Sequence, residues 1–146
     1  MKCYARYMIR DNTWLANKLQ QLYSKHFSDV PINNRILVKF GKRARSRLGS
    51  ISLRPKKGFD QPVSVININR VLQHNDVPEY VIDAVLAHEF IHYAHGFNSP
   101  LQRLYRYPHQ SGIVDKEMIK RGLKKELVLE KEWTKRNFSK VYLITK

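Results

Sequence analysis

His88, Glu89 and His92, in the stretch "AHEFIHYAHG", are the residues in this chain best able to do chemistry together. Two histidines four apart lie one turn apart on the same side of a helix, so their rings can converge on one ion at the ~2.0–2.1 Å of a Zn–N bond. Glu89 is displaced about 100° around the helix from His88, which suits a general base beside the ion better than a ligand. H-E-x-x-H is the pattern of two metal ligands and the base that activates water. The spacing predicts a site for one catalytic Zn²⁺, with His88 and His92 as ligands and Glu89 as the base.

Such a site needs a third protein ligand and leaves a fourth position for water. Four residues offer themselves. His95 shares the histidine face but sits about 10.5 Å along the axis from His88, too far to meet the same ion. A helix C-terminus favours imidazole, so a capping or supporting role suits His95 better. Asn98 carries a neutral amide, an uncommon zinc ligand. Glu117 would supply a carboxylate from a later helix. His109 is the choice made here, on a turn between Pro108 and Gly112 just before a helix that can hold it. Tyr105 or Tyr107 could donate to an oxyanion, although packing accounts for either more simply. His26 and His74 read as surface histidines.

The helix that must carry the pair is clearly signposted. Asp76 offers an N-cap oxygen, Pro78 fits a first turn, and Glu79 completes a capping box. Gly96 can take the left-handed stop, so residues 77–95 should form one helix. Val81, Val85, His88, His92 and His95 follow at intervals of 4, 3, 4 and 3. A core-facing stripe therefore turns into imidazoles.

Around this helix the pattern predicts an α+β domain. Asp11 or Asn12 should cap a first helix to about Phe27, with Leu15, Leu19, Leu22, Tyr23 and Phe27 facing inward and Trp14 beside them. "RILVKF", "RLGSISLRP" and "PVSVININ" read as three strands of a short antiparallel or mixed sheet. "NSPLQRLYRY" suggests a short helix, and Gly112 to Arg121 another, stopped by Gly122. In the tail, "ELVLEKEW" and "KVYLIT" read as a hairpin rather than a longer helix.

Composition bounds the rest. A chain of 146 residues with 42% apolar content suits one folded domain, residues 1–146. No run approaches the ~18 apolar residues of a membrane span. The N-terminus lacks an apolar signal segment, and Cys3, read as a free thiol, is the single cysteine, so a cytosolic setting without disulfides is expected. Lys and Arg number 27 against 12 acids, for a formal charge of +15. From Val30 to Phe59 there are nine basic residues and no acid. Such a field draws polyanions, nucleic acid first and an anionic membrane surface second. Arg43, Arg45, Arg47, Lys56 and Lys57 are the residues expected to touch DNA, through phosphates rather than bases.

The order "KRARSRLGSISL", "VININRVL", "VPEYVIDAVLAHEFIH", "YPHQSGI" resembles the SprT-like metallopeptidases, the group that includes Spartan, over about residues 35–121. The resemblance implies a small zincin-like domain with His88, Glu89, His92, His109 and Ile113 at the family's motif positions, and residues 122–146 as a C-terminal extension. It implies zinc proteolysis, and for Spartan-type members the cleavage of DNA-attached proteins stimulated by DNA. The cysteine-rich ribbon that often follows such domains is absent from this sequence. "NSPLQRL" is similar to the YgjP and WLM-like branch, whose third ligand would fall at Asn98. The resulting expectation is a zinc endopeptidase acting on protein substrates on or near nucleic acid. Two other readings are a non-catalytic nucleic-acid-binding module closed by zinc, and a zinc peptidase with a dedicated protein target independent of DNA.

Overall fold

The computed structural model describes residues 9–145, so Cys3 lies outside it. The chain forms α1 (Asn12–His26), β1 (Ile36–Phe40), β2 (Gly49–Arg54), β3 (Val63–Ile68), α2 (Glu79–Ala94), α3 (Ile113–Lys120) and α4 (Lys124–Ile144), with short 3-10 turns at Arg70–Gln73 and Gln110–Gly112. Over these residues the fold is α+β, with four helices and one mixed sheet. Among the described residues no helix is long and apolar enough to cross a membrane.

The sheet order is β1-β3-β2, with β1 parallel and β2 antiparallel to the central β3. Ile66 pairs with Val38 on one side and Ile51 on the other, so strand alternation puts Ile36, Val38, Phe40, Ile51, Ile66 and Ile68 on one face. That face joins the apolar core, which also receives Leu15 and Leu22 of α1 and Leu127, Trp133 and Phe138 of α4. Asp11 caps α1 as expected, its Oδ1 accepting from the Trp14 N–H at 2.8 Å.

Helix α2 runs through this core. Val81, Ile82, Val85, Leu86, Phe90 and Ile91 are all buried, although they lie on every side of it. A helix apolar all round must be enclosed, and α2 is, by the sheet and the other three helices. Its N-terminus departs from the capping box. Pro78, at φ −63° and ψ 147°, occupies the cap position with no side-chain cap bond. The helix thus begins two residues too late for the Asp76 carboxylate. The Asp76 N–H instead donates to His74 Nδ1 at 3.1 Å, and Glu79 pairs with Lys18 at 2.9 Å. At the other end Gly96 has φ +84°. Its N–H donates to Tyr93 at 3.0 Å and that of Phe97 to His92 at 2.9 Å, the paired bonds of a Schellman stop.

Two segments differ from expectation. The "NSPLQRLYRY" stretch forms no helix. Asn98 is left-handed at φ 55°, and the chain folds back until the Leu104 N–H donates to the His95 carbonyl at 3.0 Å. The carbonyl of Gln102 comes so close that a Cβ on Gly96 would lie 2.4 Å from it. The tail forms no hairpin but the single helix α4, which buries Leu127, Trp133, Phe138 and Val141. Burial against α2 and α3 overrides the strand-like "KVYLIT", as tertiary context commonly overrides local preference.

Candidate metal centre

His88 and His92 project from α2 as neighbours one turn apart, their ring centroids 4.8 Å from each other. His109 reaches them from the turn before α3. Ser111 and Gly112 are both left-handed there, at φ 53° and 65°, and they turn the chain sharply into the helix. The Gln110 side chain tightens the loop by accepting from the Tyr107 N–H at 2.9 Å. Val114 and Met118, both buried, anchor α3 behind it.

The result is a cluster of three imidazole nitrogens. His109 Nε2 lies 3.2 Å from His88 Nε2 and 3.1 Å from His92 Nε2. Tetrahedral coordination with bonds of ~2.0–2.1 Å requires ligand nitrogens about 3.3–3.4 Å apart. A ring nitrogen carries one hydrogen or one lone pair, so His109 Nε2 cannot serve both neighbours with well-formed hydrogen bonds. A cation accepting a lone pair from each ring satisfies all three at once. Burial, followed by the nearby His109, pushes the pKa of His88 down to about 4. Burial, followed by His88 and His109, pushes that of His92 down to about 3. Both are therefore neutral donors at physiological pH. Three histidines close enough to hold a metal ion are what these residues provide.

Glu89 faces the sheet side of the same cleft and is 5% exposed. Burial lifts its pKa to about 7, opposed by the charge of Arg47. Among the described residues no hydrogen bond restrains its carboxylate. Gly49 makes its seat possible, because a Cβ there would meet Val85 Cγ1 at 2.8 Å and Glu89 Cγ at 3.2 Å. The glycine of "RLGSISL" thus lets β2 approach the face of α2 that carries Glu89.

The other ligand candidates have separate roles. His95 is buried at the end of α2, with Nε2 3.9 Å from Glu117 Oε1 and its ring against Tyr105. Glu117 also lies 3.8 Å from Arg121 Nε, so it is engaged away from the histidine cluster. The Asn98 side chain donates to the Ile51 carbonyl at 3.1 Å, and its own carbonyl accepts from Ser64 Oγ at 2.7 Å. That residue ties the loop after α2 to the sheet. Tyr105 and Tyr107 do not line the cleft.

The cleft itself has a volume of ≈ 890 Å³ and lies between α2, β2, the His109 turn and α4. The Asn69 N–H donates to Leu48 O, which fixes the alternation along β2. Gly49, Ile51 and Leu53 consequently point their N–H and C=O groups away from β3, along the outer edge, where the Asn98 side chain takes the Ile51 carbonyl. Gly49, Ser50 and Ile51 line the cleft beside His88 and Glu89. On the opposite wall stand Glu130, Lys131, Thr134 and Lys135 of α4, residues that the hairpin expectation for the tail concealed. Leu123, Leu127, Thr134, Phe138 and Val141 keep a helical spacing that could have revealed the wall, but polar residues interrupt the apolar stripe there.

The five basic residues expected at DNA divide in two. Arg43 is committed internally, its guanidinium 3.6 Å over the Tyr142 ring with Nη2 donating to the Tyr142 carbonyl at 2.6 Å. Arg45, Arg47, Lys56 and Lys57 are exposed, and Arg47 lines the cleft. No family model, curated protein or solved structure matches this chain.

Proposed function

We propose that this chain is a zinc-dependent endopeptidase of the SprT-like, zincin type, acting on proteins on or near nucleic acid. The observation that carries this reading is the convergence of three Nε2 atoms, with contacts of 3.1 and 3.2 Å, beside a buried glutamate in an open cleft. His88, His92 and His109 would hold the ion. Zinc bound there supplies Lewis acidity, polarising a substrate carbonyl and acidifying water. Glu89 takes the proton from the attacking water and passes it to the departing amide nitrogen.

An extended peptide fits the outer edge of β2 beside the cleft, pairing with the outward backbone groups of Gly49 up to Ile51, whose carbonyl the Asn98 side chain holds, in a manner that reads backbone rather than side chains. The cationic surface around β1 and β2 supports the nucleic-acid half of the reading, since +15 is carried by 146 residues and concentrated there. The test is Glu89→Gln in the zinc-loaded protein. Loss of a general base should slow peptide cleavage ~10²–10⁴-fold. Zinc content should stay unchanged, because Glu89 is not among the three ligands.

A further inference from the structure

The sheet face turned away from α1 and α2 holds a second concavity. Alternation puts Lys39 of β1, Ser50, Ser52 and Arg54 of β2, and Val65 and Asn67 of β3 on that side. A groove of ≈ 590 Å³ runs over all of these but Ser52, with Lys39, Lys42, Arg47 and Arg54 on its walls and no acid in its lining. Some cations elsewhere are paired: Lys18 with Glu79 and Asp83, Arg121 with Asp29, Lys131 with Asp115. Lys39, Lys42 and Arg54 have no acidic partner among the described residues.

The groove is built rather than assembled by chance from mobile side chains. Asn69 is 4% exposed and stands at its end. Its Nδ2 donates to the carbonyls of Ala44 at 2.7 Å and Arg47 at 2.9 Å, and its Oδ1 accepts from the Ala44 N–H at 3.2 Å. That side chain fixes the loop bearing Lys42 and Arg47 against the sheet. Arg47, Gly49 and Ser50 line both this groove and the metal cleft, so the two concavities meet at the start of β2.

Four convergent cations on a concave sheet face match a narrow polyanion. A planar lipid surface cannot follow the concavity. A concave, cation-lined sheet face can track the phosphate backbone of a single strand, and with no aromatic side chain in its lining it holds phosphates without stacking bases. We propose that this groove binds the phosphate backbone of single-stranded nucleic acid through Lys39, Lys42, Arg47 and Arg54, delivering the strand to the mouth of the metal cleft at Arg47. This deepens the nucleic-acid half of the function proposed above and rests on it.

Fluorescence anisotropy with a labelled oligothymidine tests it, using the full zinc-loaded chain. The Lys39→Ala/Arg54→Ala double variant removes two contacts. Its binding should weaken roughly 50-fold near 0.05 M salt, and the slope of log K against log salt should become shallower by about 1.4. Lys56→Ala/Lys57→Ala, in the turn outside the groove, should stay within about threefold of the parent. Lys42→Ala supplies an independent loop-side variant, and zinc content and thermal melting check that each protein is folded.

Binding by the parent that survives both groove changes would overturn the groove assignment and leave the nucleic-acid reading standing. Tighter binding of a matched duplex than of the single strand would overturn the single-strand assignment. A parent that binds neither nucleic acid would remove the nucleic-acid reading as well. So would a parent that binds only vesicles of anionic lipid.

Discussion

Glu89 and the histidines beside it carry opposite electrostatic burdens. Burial raises the carboxyl from 4.5 to about 7 in the fold, so the folded state holds that proton more tightly than the unfolded chain does. The stability this confers is complete below about 4.5 and is lost as pH rises through about 7. Glu89→Gln keeps the neutral form at every pH. In the metal-free protein it should raise the unfolding free energy by roughly 2–3 kcal/mol near pH 8 and by little near pH 4. Urea titration at the two pH values reads the difference, and equal effects at both would contradict the buried seat of Glu89. His88 and His92 work in the other sense. Their neutral forms are favoured, so their contribution is present above 6.5 and disappears as pH falls through about 4 and about 3. For the third ligand, His109→Ala should strip zinc on dialysis against a weak chelator while Glu117→Ala keeps it. The reverse result would move the ligand to the carboxylate that faces His95.

His88, Glu89 and His92 were legible in the sequence because helical spacing alone fixes their relation. His109 was one of several candidates, because only the tertiary fold brings a turn 17 residues downstream to within 3.1 Å of His92. The demotion of Asn98 to a link between sheet and loop has no sequence signal apart from tertiary contacts.

Elements show the same division. The three strands, α1, α2 and α3 follow from alternation, helical spacing and stop signals, all of them local. Helix α4 did not, because Glu130 and Thr134 occupy inward positions where they line the cleft instead of extending an apolar stripe. The start of α2 was misplaced because the fixed backbone of Pro78 set the entry, not the oxygen of Asp76. β2 packs closely against α2, and Gly49 sets the approach. Gly49→Ala introduces a methyl 2.8 Å from Val85 Cγ1, so one element must move. Overpacking of this kind should cost about 1–3 kcal/mol. Cleavage should fall further than zinc affinity, because the displaced strand is both the edge proposed to take the substrate and the neighbour of Glu89. Measured stability and cleavage equal to the parent's would mean that β2 and α2 are not packed this tightly.

At the scale of the whole molecule, strand β2 separates two concavities of different character. One gathers neutral imidazoles, a buried carboxyl and the outer edge of β2; the other gathers cations with no acid in its lining. Their junction at Arg47, Gly49 and Ser50 gives a physical route by which a polyanion and a protein substrate could be held side by side. The docking of α4 completes the arrangement, since Arg43 stacks on Tyr142 while α4 walls the cleft. The central claim is that this cleft hydrolyses peptide bonds through Glu89. The measurement that tests it most directly is cleavage of a mixed-sequence peptide library, followed by mass spectrometry, with zinc-loaded parent and Glu89→Gln proteins at matched zinc content. The account predicts internal cleavage by the parent and a loss of ~10²–10⁴-fold in rate for the variant. Cleavage at the same rate by both, or by neither, would contradict it.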